Sequence, residues 1–137
     1  MIPANEMLAI RQRAKTAAQS IVERAGIRPR VAMFLGTGNA EFASRLTDKT
    51  RIRVEDIPEY PKGTESSSLV VGNFEGTPVI VADAPLAPYL GVTGIELAFP
   101  VRVFRQMGAE YLVLTAGGAS LRSDAMPGGI GLVEDHL

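Results

Sequence analysis

The 137-residue chain has no cysteine and no tryptophan, and its single histidine is His136. Without cysteine there can be no disulfide, no thiol nucleophile and no thiolate metal site. A metal would have to be held mostly by carboxylates, and no acidic cluster has ligand spacing, so no metal and no cofactor is expected. An excess of one charge is missing too. Fourteen basic and 15 acidic residues leave a net charge of −1 with no basic stripe, which argues against a nucleic-acid partner. No apolar run approaches a membrane span, and the first residues lack a secretion-signal pattern, so a cytoplasmic protein without a membrane partner is expected. Aromatic residues are only 6% against 46% hydrophobic overall, so the core must be aliphatic, which suits a buried sheet. The length is that of one α/β domain spanning residues 1–137.

Apolar periodicity marks the elements. Ile10, Ala14, Ala17, Ile21 and Ala25 recur at helical spacing, with Asn5 available as a cap, Gly26 as the stop and Pro29 blocking resumption. Val31 to Leu35 reads as a buried strand and Ala40 to Leu46 as a helical segment. Arg51 to Glu55 alternates like a strand, and the prolines at 58 and 61 make the following segment irregular. Leu69–Phe74 and Pro78–Ala82 form a hairpin around Glu75-Gly76-Thr77. Thr93-Gly94-Ile95-Glu96 has capping-box spacing and starts a helix running to Met107, with Gly108 as its stop and a bend at Pro100. Tyr111 to Thr115 is a strand leading into the small-residue loop Ala116–Ser120, Pro127-Gly128-Gly129 is a turn, and Ile130 to Val133 reads as a last short strand. Interleaved helices and apolar strands predict a layered α/β fold with a central mixed sheet flanked by helices. No helix follows the last strand to cover the sheet there, so association with a second copy is expected.

The strand-to-helix turn Gly36-Thr37-Gly38 is the first candidate site. Glycines let backbone N–H groups approach a ligand closely, and a helix start adds partial positive charge, so the turn can cradle an oxyanion; it can equally be a tight turn kept for its backbone path. Several further pieces come in a fixed order: Ile57-Pro58-Glu59-Tyr60-Pro61, Phe99-Pro100-Val101-Arg102-Val103-Phe104, Tyr111-Leu112-Val113-Leu114-Thr115 before the glycine-alanine loop, and Glu134-Asp135-His136. Together with Leu35-Gly36-Thr37-Gly38 they resemble the amino-terminal half of the trimeric-type purine nucleoside phosphorylases, the family that also holds methylthioadenosine phosphorylases. The resemblance implies half of that family's α/β domain and a glycosyltransferase chemistry. Phosphate, the co-substrate, attacks the anomeric carbon of a purine nucleoside and releases the base and a sugar 1-phosphate. Such a reaction depends on holding the phosphate, orienting the sugar and protonating or hydrogen-bonding the departing purine.

Carried over residue by residue, the resemblance implies phosphate contacts at Gly36, Thr37, Gly38 and Ala116 and a sugar contact at Tyr89. The family's Gly-Ser-Gly loop keeps a hydroxyl here at Thr37. Its Pro-Gly-His turn after the Ile-Pro element has no counterpart; Pro61 leads to Lys62-Gly63-Thr64-Glu65 with no histidine. In its Gly-Arg-x-His-x-Tyr-Glu-Gly run, Tyr89 and Gly91 remain while Pro85, Ala87 and Leu90 replace arginine, histidine and glutamate. Ala116 stands at the asparagine of its Thr-Asn-Ala-Ala-Gly-Gly loop. A phosphate dianion that loses its arginine in a partly dry site is costly to hold. No residue is therefore assigned as catalytic, and the expectation is a truncated, phosphorylase-like protein with a binding or assembly role, as a homo-oligomer or with a full-length family member. The alternative is an active phosphorylase completed by a partner chain. His136 is either a base or a terminal structural residue, and Arg102 and Arg105 either face an anion or are solvated or interface charges.

Overall fold

In the computed structural model, residues 3–36, 40–61, 67–82, 91–121 and 126–135 are described. A 22-residue helix, α1 (Ala4–Ala25), packs its buried face of Ile10, Ala14, Ala17, Ala18 and Ile21 over the sheet. It begins two residues earlier than the Asn5 cap implied. Pro3 is the N-cap, its carbonyl accepts from the Met7 N–H at 3.0 Å, and no side chain caps that end. Gly26 closes the helix at φ +71°, a left-handed geometry that favours glycine, and its N–H donates to the Val22 carbonyl.

Five strands follow: β1 (Val31–Phe34), β2 (Thr47–Arg53), β3 (Ser68–Phe74), β4 (Thr77–Ala82) and β5 (Tyr111–Leu114). They lie in the order β2-β3-β4-β1-β5, with β1 parallel to both β4 and β5 and with β2, β3 and β4 antiparallel. The sheet is therefore mixed, as expected. Pairing of Phe74 with Thr77 leaves Glu75 (φ 47°) and Gly76 (φ 79°) as a two-residue hairpin loop, both in the conformation such turns need.

Side chains alternate across the central strands. Leu69, Val71, Ile80 and Ala82 face α1 and α3 (Phe99–Met107), joining Phe99, Val103, Phe104 and Met107 in the larger core. Val70, Val79 and Val81 face the other way and pack with Leu35, Ala43 and Leu46 in a smaller one. The sheet's middle is thus buried on both faces, which explains strands that read as continuous apolar runs.

Four elements differ from the sequence reading. The segment 40–46 is a 3-10 helix over Ala40–Arg45 rather than an α-helix. Strand β2 starts at Thr47 and stops at Arg53; Val54–Asp56 turns as a short 3-10 helix, with Arg53 paired to Glu55 at 2.7 Å and Asp56 at 3.0 Å. Its polar first half, Thr47-Asp48-Lys49-Thr50, pairs with β3 across a register shift, and Asp48 takes φ 48° there. The helix from Thr93 does not bend at Pro100 but breaks at Ala98 into α2 (Gly94–Leu97) and α3. Proline lacks the N–H that would bond four residues back, so it sits in the first turn of a new helix, where that donor is not needed. Finally, Ile130 to Val133 is not a strand; the turn before it forms, with the Gly129 N–H donating to the Met126 carbonyl at 3.1 Å, but the segment pairs with no strand.

The capping box is present. Glu96 N–H donates to the Thr93 hydroxyl at 3.3 Å, and the Glu96 carboxylate accepts from the Thr93 N–H at 2.7 Å and hydroxyl at 2.8 Å. Those donors, the backbone N–H first, hold the Glu96 carboxyl below its ordinary pKa.

Candidate functional site

Three adjacent strands, β4, β1 and β5, run parallel and end at one edge of the sheet at Ala82, Phe34 and Leu114. Ligands of open α/β sheets bind beyond the carboxyl ends of such strands. Of the five candidate residues, Gly36 and Ala116 lie two positions past the ends of β1 and β5. Thr37, Gly38 and Tyr89, together with His136, lie outside the described residues.

Gly36 and Ala116 are brought together. A Cβ on Gly36 would stand 3.1 Å from the Ala116 Cα and 2.5 Å from the Thr115 carbonyl oxygen, closer than real Cβ contacts come. The glycine is therefore required here by the close approach of two strand ends. The Gly36 N–H donates to the Thr115 hydroxyl at 2.9 Å, and the Thr115 N–H donates to the Phe34 carbonyl at 3.0 Å. Thr115 is the residue that the sequence did not single out. It joins loops 79 positions apart, and only the β1–β5 register, Phe34 beside Leu114, brings them to the same level.

The donor set limits what this edge can hold. The Gly36 amide is already engaged by a hydroxyl, so an incoming anion would have to displace it or use other amides of the turn. Residues 35–40, 83–91 and 115–121, which follow the three strands, contain no lysine, arginine or histidine, and Asp83 adds a negative charge. Arg30, which ion-pairs with Glu110 at 3.0 Å, precedes β1 and so lies by the opposite edge. Among the described residues no group of three or more His, Cys, Asp and Glu could hold a metal ion, and no described helix is long and apolar enough to cross a membrane.

Strand β5 departs from the rest of the sheet. Its four residues are exposed by 56%, 43%, 38% and 68%, so neither face of it is covered by described residues, and it forms the sheet's edge. Leu121, Met126, Ile130, Leu132 and Val133 beyond it are also exposed.

A parallel-strand edge where Gly36 meets a small-residue loop is an arrangement of open α/β proteins, and comparisons with known proteins narrow the likeness. No protein-family model matches the chain. It is 28% identical over 131 residues to purine nucleoside phosphorylase 1 of Bacillus subtilis (strain 168), covering 93% of this chain and 48% of that one. It is 34% identical over 122 residues to the purine nucleoside phosphorylase of Anopheles gambiae, covering 85% and 34%. The structure of isoform 2 of purine nucleoside phosphorylase from Schistosoma mansoni, in complex with cytosine and ribose-1-phosphate, superposes with a TM-score of 0.73 at 26% identity, over 77% of this chain and 38% of that one. The chain thus resembles part of a purine nucleoside phosphorylase, and it spans between about a third and about half of the length of the curated relatives it matches.

Proposed function

We propose that this is a purine nucleoside phosphorylase-like protein that keeps the amino-terminal scaffold of that family, does not catalyse phosphorolysis by itself, and acts by binding or assembly. One observation carries the reading: the residues immediately after β4, β1 and β5 (83–91, 35–40 and 115–121) hold no cationic side chain, the first basic residues beyond them being Arg102, Arg45 and Arg122. Phosphorolysis needs the charge of a phosphate dianion balanced while it attacks the sugar, and positioned cations and donors supply most of the acceleration. What remains is a weaker anion contact from Thr37, Gly38 and the Gly36–Ala116 junction, with Tyr89 against a sugar. Ligands of this edge are phosphate or a purine nucleoside.

The test is ligand-induced stabilisation with phosphate, ribose 1-phosphate and purines. A ligand at a hundred times its dissociation constant adds about 2.7 kcal/mol. Thr37→Ala is expected to abolish the phosphate-dependent rise in melting temperature; an unchanged rise removes the turn from the site.

The exposure of β5 on both faces favours a second reading, in which a partner chain supplies the missing groups and the assembly is active. The partner is a second copy or a complete family member. Free base released from inosine, guanosine or methylthioadenosine only when that partner is added supports this reading over the first.

A further inference from the structure

On the helical side of the sheet, α1 and α3 border a cavity of about 560 Å³. It lies away from the strand-end edge, although Val101 and Arg102 belong to one of the strings that carry the family resemblance, and it falls in the size range of small-molecule sites, roughly 300–1,000 Å³. Met7 and Leu8 on α1 and Val101 on α3 give it an apolar rim, and all three are exposed, Leu8 by 68%. Arg11, Arg102 and Arg105 also line it, and no carboxylate does. The spacing explains the arrangement: positions 7, 8 and 11 share one face of α1, and 101, 102 and 105 share one face of α3.

Two of the arginines are distinctive. Arg105 is tied by one guanidinium nitrogen to the Ala109 carbonyl at 3.1 Å, which fixes its head. The Nε of half-buried Arg102 is shut away from solvent and has no hydrogen-bond partner among the described residues. A buried donor without an acceptor is a destabilising feature, and a ligand oxygen relieves it only if the Arg102 side chain turns to open that nitrogen to the cavity. Three guanidinia around an apolar lining, with a donor left unsatisfied, call for an acceptor that is anionic and attached to an apolar body.

We propose that this cavity is a binding site for an apolar monocarboxylate, whose carboxylate meets Arg102 and its neighbours and whose hydrocarbon part lies against Met7, Leu8 and Val101. The open cleft between two helices suits a small amphiphile, and a polar lining of three arginines with neutral Gln106 selects the sign of its head group. The proposal stands apart from the phosphorylase reading and survives its failure.

Isothermal titration of the full chain with decanoate, below its micellar concentration, tests it. Decanoate should bind saturably with one site per chain. Decanol and decyltrimethylammonium should bind at least tenfold more weakly. Arg102→Met, which keeps the apolar stem, and Leu8→Gln, at an exposed position where the fold has nothing to lose, should each weaken decanoate at least tenfold. No saturable binding, equal binding of the cationic amphiphile, or undiminished affinity in Leu8→Gln overturns the proposal. So does a second copy of the chain or an acidic peptide occupying the groove in place of the small carboxylate.

Discussion

Replacing Gly36 with alanine tests the geometry that joins the two loops of the candidate site. The added Cβ would meet the Thr115 carbonyl oxygen at 2.5 Å and the Ala116 Cα at 3.1 Å. Both are backbone atoms, so no side-chain rotation relieves the overlap, and overpacking of this kind costs about 1–3 kcal/mol. Displacing Thr115 also breaks the 2.9 Å bond from the Gly36 N–H, a further loss of about 1 kcal/mol. Where that energy goes follows from the packing. Strand β5 pairs only with β1 and is covered on neither face by described residues, so it gives way first. Gly36→Ala should therefore lower the midpoint of urea unfolding and, more markedly, speed amide exchange at residues 111–115 while the β3–β4 hairpin stays protected. Gly117→Ala is the control, since a Cβ there meets nothing within 4 Å. If the two variants unfold and exchange alike, the close approach of the two strand ends is refuted.

Other expectations are independent of that contact. Because Glu96 is held below its ordinary pKa by the Thr93 donors, the capping box stabilises the fold above the unfolded-state value, about 4.3, and that contribution is lost as pH falls through the lower folded value. Carbon-13 titration of the Glu96 carboxyl should show the depressed midpoint, and Thr93→Ala, which removes the hydroxyl but keeps the backbone donor, should move it part of the way back; an ordinary midpoint in the unaltered chain contradicts the cap. Burial pushes the Tyr60 phenol well above its usual pKa, and the ring packs edge-on against Phe99 with centroids 5.8 Å apart. Its raised folded value makes stability fall as pH rises beyond the unfolded value near 10, so absorbance at 295 nm should report ionisation of one tyrosine only as the fold is lost, and Tyr60→Phe should resist alkali better. Phenolate forming at Tyr60 with circular dichroism intact would refute its burial. If the bare β5 face drives assembly, Leu114→Lys should convert a sedimenting dimer or larger species to monomer; a native chain that sediments as monomer at micromolar concentration contradicts the assembly proposal.

What the sequence disclosed tracks how local each determinant is. Helix α1, the β3–β4 hairpin and the end of α3 at Gly108 were readable because apolar spacing and turn residues encode them within a dozen positions. Strand β2 began earlier than its alternation suggested because Thr47 to Thr50 are polar and gain strand geometry from pairing with β3, not from propensity. Ile130 to Val133 failed for the converse reason: apolar residues stay outside any strand and exposed where no neighbouring strand receives them. At the site, the glycine turn and the small-residue loop were visible as composition. Their contact was not, because it depends on the register of β1 beside β5 and on the Thr115 hydroxyl. The cavity between α1 and α3 was hinted at only by Arg102 and Arg105 sharing a helix; its apolar rim needed the packing angle of two helices far apart in sequence.

On the proposed reading, a phosphorylase-like scaffold lacks, immediately beyond its strand ends, the cations that make phosphate a usable nucleophile. The purified 137-residue chain, incubated alone with phosphate and inosine, guanosine or methylthioadenosine, should release no free base above the enzyme-free rate. Turnover in the range typical of enzymes, about 1–1,000 per second, with inorganic phosphate consumed in step with base release, would contradict it.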